Sequence, residues 1–218
     1  ASDVYKRQTL WIVKLISAGL KLLGKNATYY PGKLALDMCP GFMGMLDKPK
    51  TIIGVTGTNG KTTVSNMIND ILIDNGYKII NNKYGSNIDA GIATTLLQGA
   101  TLFGKSKKEI AVLEIDERSA PKVFPYITPT YLICTNIFRD SLMRNAHTEF
   151  ISEIVSKNVP KDTIVIENAD DLICSGIAPN NAKIYFSIDK LDTDTKEPHN
   201  IVRDIITVSY THLTLPTT

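Results

Sequence analysis

Five short runs of apolar, largely β-branched residues return along this chain: TIIGVT (51–56), YKII (77–80), EIAVLEI (109–115), TYLICT (130–135) and DTIVIE (162–167). Helical patterns lie between most of them, notably over 62–75, 88–98 and 147–157. Strands that alternate with helices pair side by side in parallel, with the helices crossing over the sheet faces. The expected fold is therefore α/β, with a doubly wound, mostly parallel sheet. A sixth run, AKIYFSI (182–188), is a candidate edge strand. The runs stop on similar polar residues: Thr56, Asn81 and Asn82, Glu114, Thr135 and Asn136, Glu167 and Asn168. In a parallel sheet these ends share one edge, and ligands bind outside that carboxyl edge. Asn and Thr also end strands merely as turn residues. That reading does not explain Glu114, which interrupts an apolar run.

The first run leads into GVTGTNGKTT (54–63). Gly57 and Gly60 allow the backbone of Gly57, Thr58, Asn59 and Gly60 to curl so that N–H groups point at anionic oxygens. A helix starting near Lys61 adds its positive N-terminal end, with Thr62 and Thr63 in its first turn. In such a loop the lysine reaches the β- and γ-phosphates of a nucleotide and the following hydroxyl ligates Mg²⁺. The strict pattern GxxxxGK[ST] is not met: Val55 stands where the first glycine belongs, and the glycine is displaced to Gly57.

A net charge of +2 argues against bulk electrostatic binding to nucleic acid. Cys39, Cys134 and Cys174 are widely spaced and form no CxxC pair, which suits reduced thiols in a cytoplasmic setting. No apolar run is long enough to span a bilayer. Residues 9–23, TLWIVKLISAGLKLL, have the spacing of an amphipathic helix with lysines on one side. Packing of its apolar face on the sheet domain is expected, in preference to membrane contact. The stretch PGKLALDMCPGFMGML (31–46), broken by prolines and glycines, reads as turn-rich. The ends, ASDVYKRQ and VSYTHLTLPTT, read as adaptor-derived; the alternative is a native polar start and a native last strand. The expected organisation is 1–8 as artefact, 9–50 as a helical and turn-rich segment, 51–206 as an incomplete ATP-binding domain, and 207–218 as artefact.

TGTNGKTT after a strand resembles the phosphate loop of the Mur ligase superfamily, which includes the peptidoglycan amino-acid ligases and folylpolyglutamate synthase. Further segments resemble its MurT branch, the ligase subunits of lipid II isoglutaminyl synthase: ATYYPGKLALDMCPGFM (27–43), NNKYGSNIDAGIATTLL (81–97), AVLEIDERSAPKVFPYITPTYLICTNIFRD (111–140) and ENADD (167–171). The short segment ahead of the loop fits that branch, since the UDP-sugar ligases carry a whole uridine-binding domain there.

The resemblance implies a central domain of Mur ligase type that uses ATP and Mg²⁺ to phosphorylate the D-glutamate α-carboxylate of lipid II. Ammonia would then attack the acyl phosphate and give D-isoglutamine. Lys61, Glu114 and Asn87 would be catalytic, Thr62 and Glu114 would hold Mg²⁺, and Asn87 would face the reacting groups. Asn136 and Asp140 would line the nucleotide site, although helix capping is an open alternative for both. Asp116 and Glu117 are expected to support the site, Cys134 to fill the core, and His147 to start a helix. A GatD-like glutaminase would be the partner, working with this chain on the cytoplasmic side and peripherally at the membrane.

The chain departs from the family at Ser141, Met143 and Leu172, and the family's zinc-ribbon cysteine pairs do not occur in it. Two other functions stay open: a superfamily ligase that adds an amino acid, and a nucleotide-binding homologue with impaired catalysis.

Overall fold

All six apolar runs form strands in the computed structural model, which describes residues 3–25, 27–84, 86–138, 148–188, 205–207 and 214–216. They are β1 (Thr51–Thr56), β2 (Ile79–Asn81), β3 (Ile110–Glu114), β4 (Tyr131–Cys134), β5 (Ile164–Asn168) and β6 (Lys183–Phe186). Their order in the sheet is β2-β3-β1-β4-β5-β6, and every neighbouring pair is parallel. The sixth run is the edge strand. The chain steps outward from β1 to β2, returns to β3, and then builds the other half from β4. The carboxyl ends of β1 and β3 thus lie side by side where the winding reverses, the usual place for a ligand in such a sheet. A separate antiparallel pair joins β7 (Ile205–Thr207) to β8 (Thr214–Pro216).

Alternation along the strands divides the sheet into two unequal faces. In β4, Leu132 and Cys134 are buried while Tyr131 and Ile133 are half-buried; in β5, Val165 and Glu167 are buried while their neighbours are half-buried. The well-covered face holds the main core. Helices α1 (Asp3–Leu22), α2 (Tyr30–Met38), α3 (Phe42–Met45), α5 (Asp89–Gly99) and α7 (Thr148–Asn158) close it with Leu10, Val13, Ala35, Phe42, Ile92, Leu97, Ile151 and Val155. Helix α4 (Lys61–Asp74) contributes nothing to that cluster. It lies across β1, β2 and β3 on the other face and buries only Ser65 and Asn69. The short α6 (Ala120–Val123) connects β3 towards β4.

Residues 31–46 correct the turn-rich expectation, because they contain α2 and α3. Pro31 sits in the first turn of α2, where its missing N–H is no loss. Gly32 is a contact residue: a Cβ there would meet Ala90 O at 1.9 Å, and its N–H donates to Thr94 Oγ1 at 2.8 Å. Helix α2 therefore crosses α5 at backbone distance, and its proline and glycine serve a helix start and a close crossing.

Helix α1 packs on the domain as expected, through Thr9, Leu10, Val13 and Ser17. Its lysines do not form a simple solvent-facing row. Lys14 Nζ donates to Leu97 O at 2.8 Å and Ala100 O at 2.7 Å, so it caps the C-terminal end of α5. Burial, then the fields of Lys107 and Lys21, hold its ammonium below the usual lysine range. Among the described residues no helix is long and apolar enough to cross a membrane.

Candidate functional site

The loop between β1 and α4 needs its glycines for separate reasons. Gly57 has φ +123° and Gly60 φ +82°, both in the left-handed region. At Gly57 a Cβ would also meet Thr135 Oγ1 at 2.3 Å and Asn136 O at 2.8 Å. The first three loop N–H groups are engaged internally: Gly57 donates to Glu117 Oε1 (2.9 Å), Thr58 to Asn136 O (2.8 Å) and Asn59 to Asn136 Oδ1 (2.9 Å). The first turn of the helix is different. Its first internal bond runs from Val64 N to Gly60 O, so the N–H groups of Lys61, Thr62 and Thr63 are the helix's unspent donors. They open on a shallow cavity of about 290 Å³ lined by residues 58–63, Asn87 and Glu114. An anion there would meet N–H groups and the positive end of α4 together.

Glu114 enters the same cavity from β3, the strand beside β1. It accepts from Thr62 Oγ1 at 2.9 Å on Oε2 and from Asn87 Nδ2 at 3.2 Å on Oε1. Asn82 fixes its backbone, accepting from Glu114 N at 2.9 Å and donating to Glu114 O at 2.8 Å. Three chain segments thus aim one carboxylate, one hydroxyl and one amide at the opening of the phosphate loop. Among the described residues no group of three or more His, Cys, Asp or Glu could hold a metal ion. The donors present nevertheless fit Mg²⁺, which binds through one or two carboxylates and completes its octahedron with phosphate oxygens and water.

Glu117 has a larger part than the sequence assigned it. It is 3% exposed, lies under the loop, and accepts from both Gly57 N and, at 3.2 Å, Lys61 Nζ. Burial pushes its carboxyl above the usual range, and the Lys61 ammonium opposes that shift. Lys61 Nζ also donates to Gly57 O and, at 3.3 Å, to Thr58 O. The amine is thus held within the loop, at the edge of the cavity. An acid three residues beyond the end of β3 was the available signal for Glu117, but only the sheet order reveals that it sits below Gly57.

The strand ends further along the sheet do not open on the cavity. The Asn136 side chain, expected at the nucleotide, is occupied by the loop itself: Oδ1 accepts from Asn59 N and Nδ2 donates to Asn59 O at 3.1 Å. Thr135 Oγ1 donates to Asn59 O at 2.7 Å, and Asn168 Nδ2 to Thr135 O at 3.0 Å. Glu167, expected at the crevice, is fully buried and paired with Lys183 of β6 at 2.9 Å. Asp116 caps the short 3₁₀ turn Glu117–Ser119 through Arg118 N. Cys39, Cys134 and Cys174 are buried free thiols, and a hydrogen bond with Cys174 and burial push the Cys134 thiol well up. Asp140, Ser141, Met143 and His147 lie outside the described residues.

A β1 phosphate loop opening a helix, with a β3 carboxylate facing it across a parallel sheet, marks a class of phosphate-binding α/β domain. The chain belongs to the Mur ligase middle-domain family, whose model matches residues 55–213. It is similar to two curated MurT subunits of lipid II isoglutaminyl synthase (glutamine-hydrolyzing). The one from Staphylococcus aureus (strain COL) is 34% identical over 73% of this chain and 36% of its own. The one from Streptococcus pneumoniae (strain ATCC BAA-255 / R6) is 37% identical over 78% of this chain and 38% of its own. UDP-N-acetylmuramoylalanine–D-glutamate ligase from Prochlorococcus marinus (strain NATL2A) is 30% identical over 66% of this chain and 32% of its own. The chain therefore spans little more than a third of the relatives it matches.

Among solved structures, MurF from Acinetobacter baumannii superposes with a TM-score of 0.53 at 20% identity, over 70% of this chain and 34% of that one. E. coli FolC in complex with DHPP and ADP gives 0.51 at 15%, over 66% and 44%. These likenesses establish the fold.

Proposed function

We propose that this domain is the ATP-binding part of a ligase that amidates the D-glutamate α-carboxylate of lipid II, a step in peptidoglycan synthesis. The observation that carries the reading is the Glu114 carboxylate, held by Thr62 and Asn87 at the mouth of a phosphate loop. The triphosphate would lie over the N–H groups of Lys61, Thr62 and Thr63, with Lys61 moving its ammonium from the loop carbonyls to the β- and γ-phosphates. Glu114 and Thr62 would hold Mg²⁺, whose charge offsets the negative charge that develops on the transferred phosphoryl group. Asn87 would orient the incoming carboxylate.

In the first half of the reaction a substrate carboxylate oxygen attacks the γ-phosphorus and ADP leaves. In the second, ammonia attacks the acyl carbon and inorganic phosphate leaves, giving the amide.

The nitrogen donor would be glutamine, hydrolysed by a GatD-like partner subunit. Glutamine hydrolysis uses an accessible thiolate, and all three thiols of this chain are buried. The relatives are themselves described as subunits of a glutamine-hydrolyzing synthase. A carboxylate on a lipid would place the work on the cytoplasmic face of a membrane. Similarity to the D-glutamate ligase favours one second reading, in which the attacking amine belongs to an amino acid.

Amidation of lipid II by the complete protein, with ATP and one nitrogen source at a time, decides between them. The expected result is isoglutamine from ammonium chloride alone, and from glutamine only with the partner. Robust use of glutamine without a partner, or coupling of D-glutamate in its place, would refute the proposal.

A further inference from the structure

Helix α1 is also apolar on a side that the described residues leave largely uncovered. Opposite Leu10, Val13 and Ser17 it exposes Trp11 (49%), Leu15 (76%) and Leu22 (89%). An apolar strip on the outer side of an otherwise amphipathic helix is surface with something to cover it. A second segment adds to the same surface. Trp11 Nε1 donates to Leu102 O at 2.8 Å, which brings the 101–105 turn against the helix.

That turn is closed by Thr101 N to Lys105 O (2.7 Å) and Gly104 N to Thr101 O (3.1 Å), with Gly104 at φ +79°. It holds Leu102 and Phe103, the latter 79% exposed, out at its tip. Single exposed apolar residues need no explanation, but a contiguous patch from two segments does.

Lysines flank the patch. Lys14 Nζ donates to Ala100 O at 2.7 Å, Lys107 N donates to the adjacent Gly99 O at 2.9 Å, and Lys21 lies two turns further along α1 from Lys14. Lys21 and Lys25 together line a cavity of about 410 Å³ at the C-terminal end of α1. Lys21, Lys25 and Lys107 are exposed and have no acidic partner among the described residues.

We infer that this face, Trp11, Leu15, Leu22, Leu102 and Phe103 with Lys21, Lys25 and Lys107 around them, docks on an anionic lipid bilayer. Charge complementarity selects that occupant. A bilayer supplies a continuous anionic headgroup layer for the lysines over an apolar interior for the side chains between them. An indole, aliphatic tips and flanking lysines are the chemistry of a helix that lies in such an interface without crossing it. The inference rests on the ligase reading only for its purpose, which is to bring the phosphate loop to a lipid-borne carboxylate. Its test uses neither ATP nor substrate, so the two can fail separately.

The test is co-sedimentation of the whole chain with vesicles of phosphatidylcholine alone, or of phosphatidylcholine and phosphatidylglycerol in equal parts. The expected result is at least about tenfold stronger binding to the anionic vesicles, weakening as salt is raised. Leu102→Ser with Phe103→Ser should cut that binding roughly tenfold, and Lys21→Glu with Lys107→Glu should remove the preference for anionic lipid. Both variants change exposed residues, and unaltered melting curves confirm that they fold. Equal binding to both vesicle types, or wild-type binding by both variants, overturns the inference. So does a concentration-dependent dimer that the same substitutions disperse, which would make a second copy the occupant.

Discussion

The β1–β3 edge and the β4–β5 edge of the sheet look alike in sequence and differ in what they leave free. Both end on small polar or acidic residues. At the first edge the Glu114 carboxylate, the Thr62 hydroxyl and three helix N–H groups border a cavity. At the second, the Asn136 side chain is bound to Asn59, that of Asn168 to Thr135, and Glu167 to Lys183. The first edge lines a cavity, which the proposed function gives to the nucleotide, and at the second Asn136 and Asn168 tie the loop and the strand ends together. A polar strand end is thus a candidate site residue where it and its hydrogen-bond partners line a cavity, as Glu114 does with Thr62 and Asn87, and not where its bonds only tie segments together inside the fold.

The largest effect that sharpens this contrast is on stability. Glu167→Ala removes the carboxylate of a buried ion pair and leaves the Lys183 ammonium with only the Ser175 and Ile177 carbonyls, and a loss of about 3 kcal/mol is expected in denaturant melts. Nucleotide affinity should hardly change. Lys61→Ala should weigh instead on the ligand: a loss of about a hundredfold in ATP affinity by calorimetry, beside a smaller stability loss from removing the partner of buried Glu117. A Glu167 variant that folds normally but loses ATP would break the division between the edges.

Much of the fold was legible because its signals are local. Apolar β-branched runs spaced by helical patterns suffice to give the sheet, and the phosphate loop states its backbone demands in Gly57 and Gly60. What stayed hidden depends on residues far apart in the chain. Pro31 and Gly32 read as breakers because their reasons, a free first-turn position and the crossing of α5, are not in the local sequence. Glu167 and Lys183 meet because β5 pairs with β6, and Glu117 reaches Gly57 because β3 lies beside β1. Similarly, nothing near Asn136 says that its amide is spent on Asn59.

Smaller effects refine the comparison. Asn136→Ala should cost about 1–2 kcal/mol of stability, since Asn59 N–H loses its acceptor and Asn59 O keeps only Thr135. ATP affinity should fall only several-fold, as the loop loosens without losing a phosphate contact. An effect as large as that of Lys61→Ala would return Asn136 to the nucleotide.

Glu117 should give the smallest signal, and a pH-dependent one. Its carboxyl is raised from an ordinary value of 4.5, so the native state binds this proton more tightly than the unfolded chain. The associated stability is full below about pH 4.5 and is lost as pH rises through the raised value. Glu117→Gln cannot ionise, so wild type should lose stability relative to it across that window. Parallel stability curves would show that burial does not dominate at Glu117.

The central claim is that Glu114 does the chemistry of this edge, and Glu114→Gln in the complete protein tests it most directly. The substitution keeps the size of the side chain and removes its charge; the amide can still accept from Asn87 on its oxygen while its NH2 donates to the Thr62 hydroxyl, which turns to accept. Substrate-stimulated release of phosphate from ATP should fall by about a hundredfold or more, with metal-free nucleotide affinity unchanged. Wild-type phosphate release from the Glu114→Gln protein would contradict the assignment.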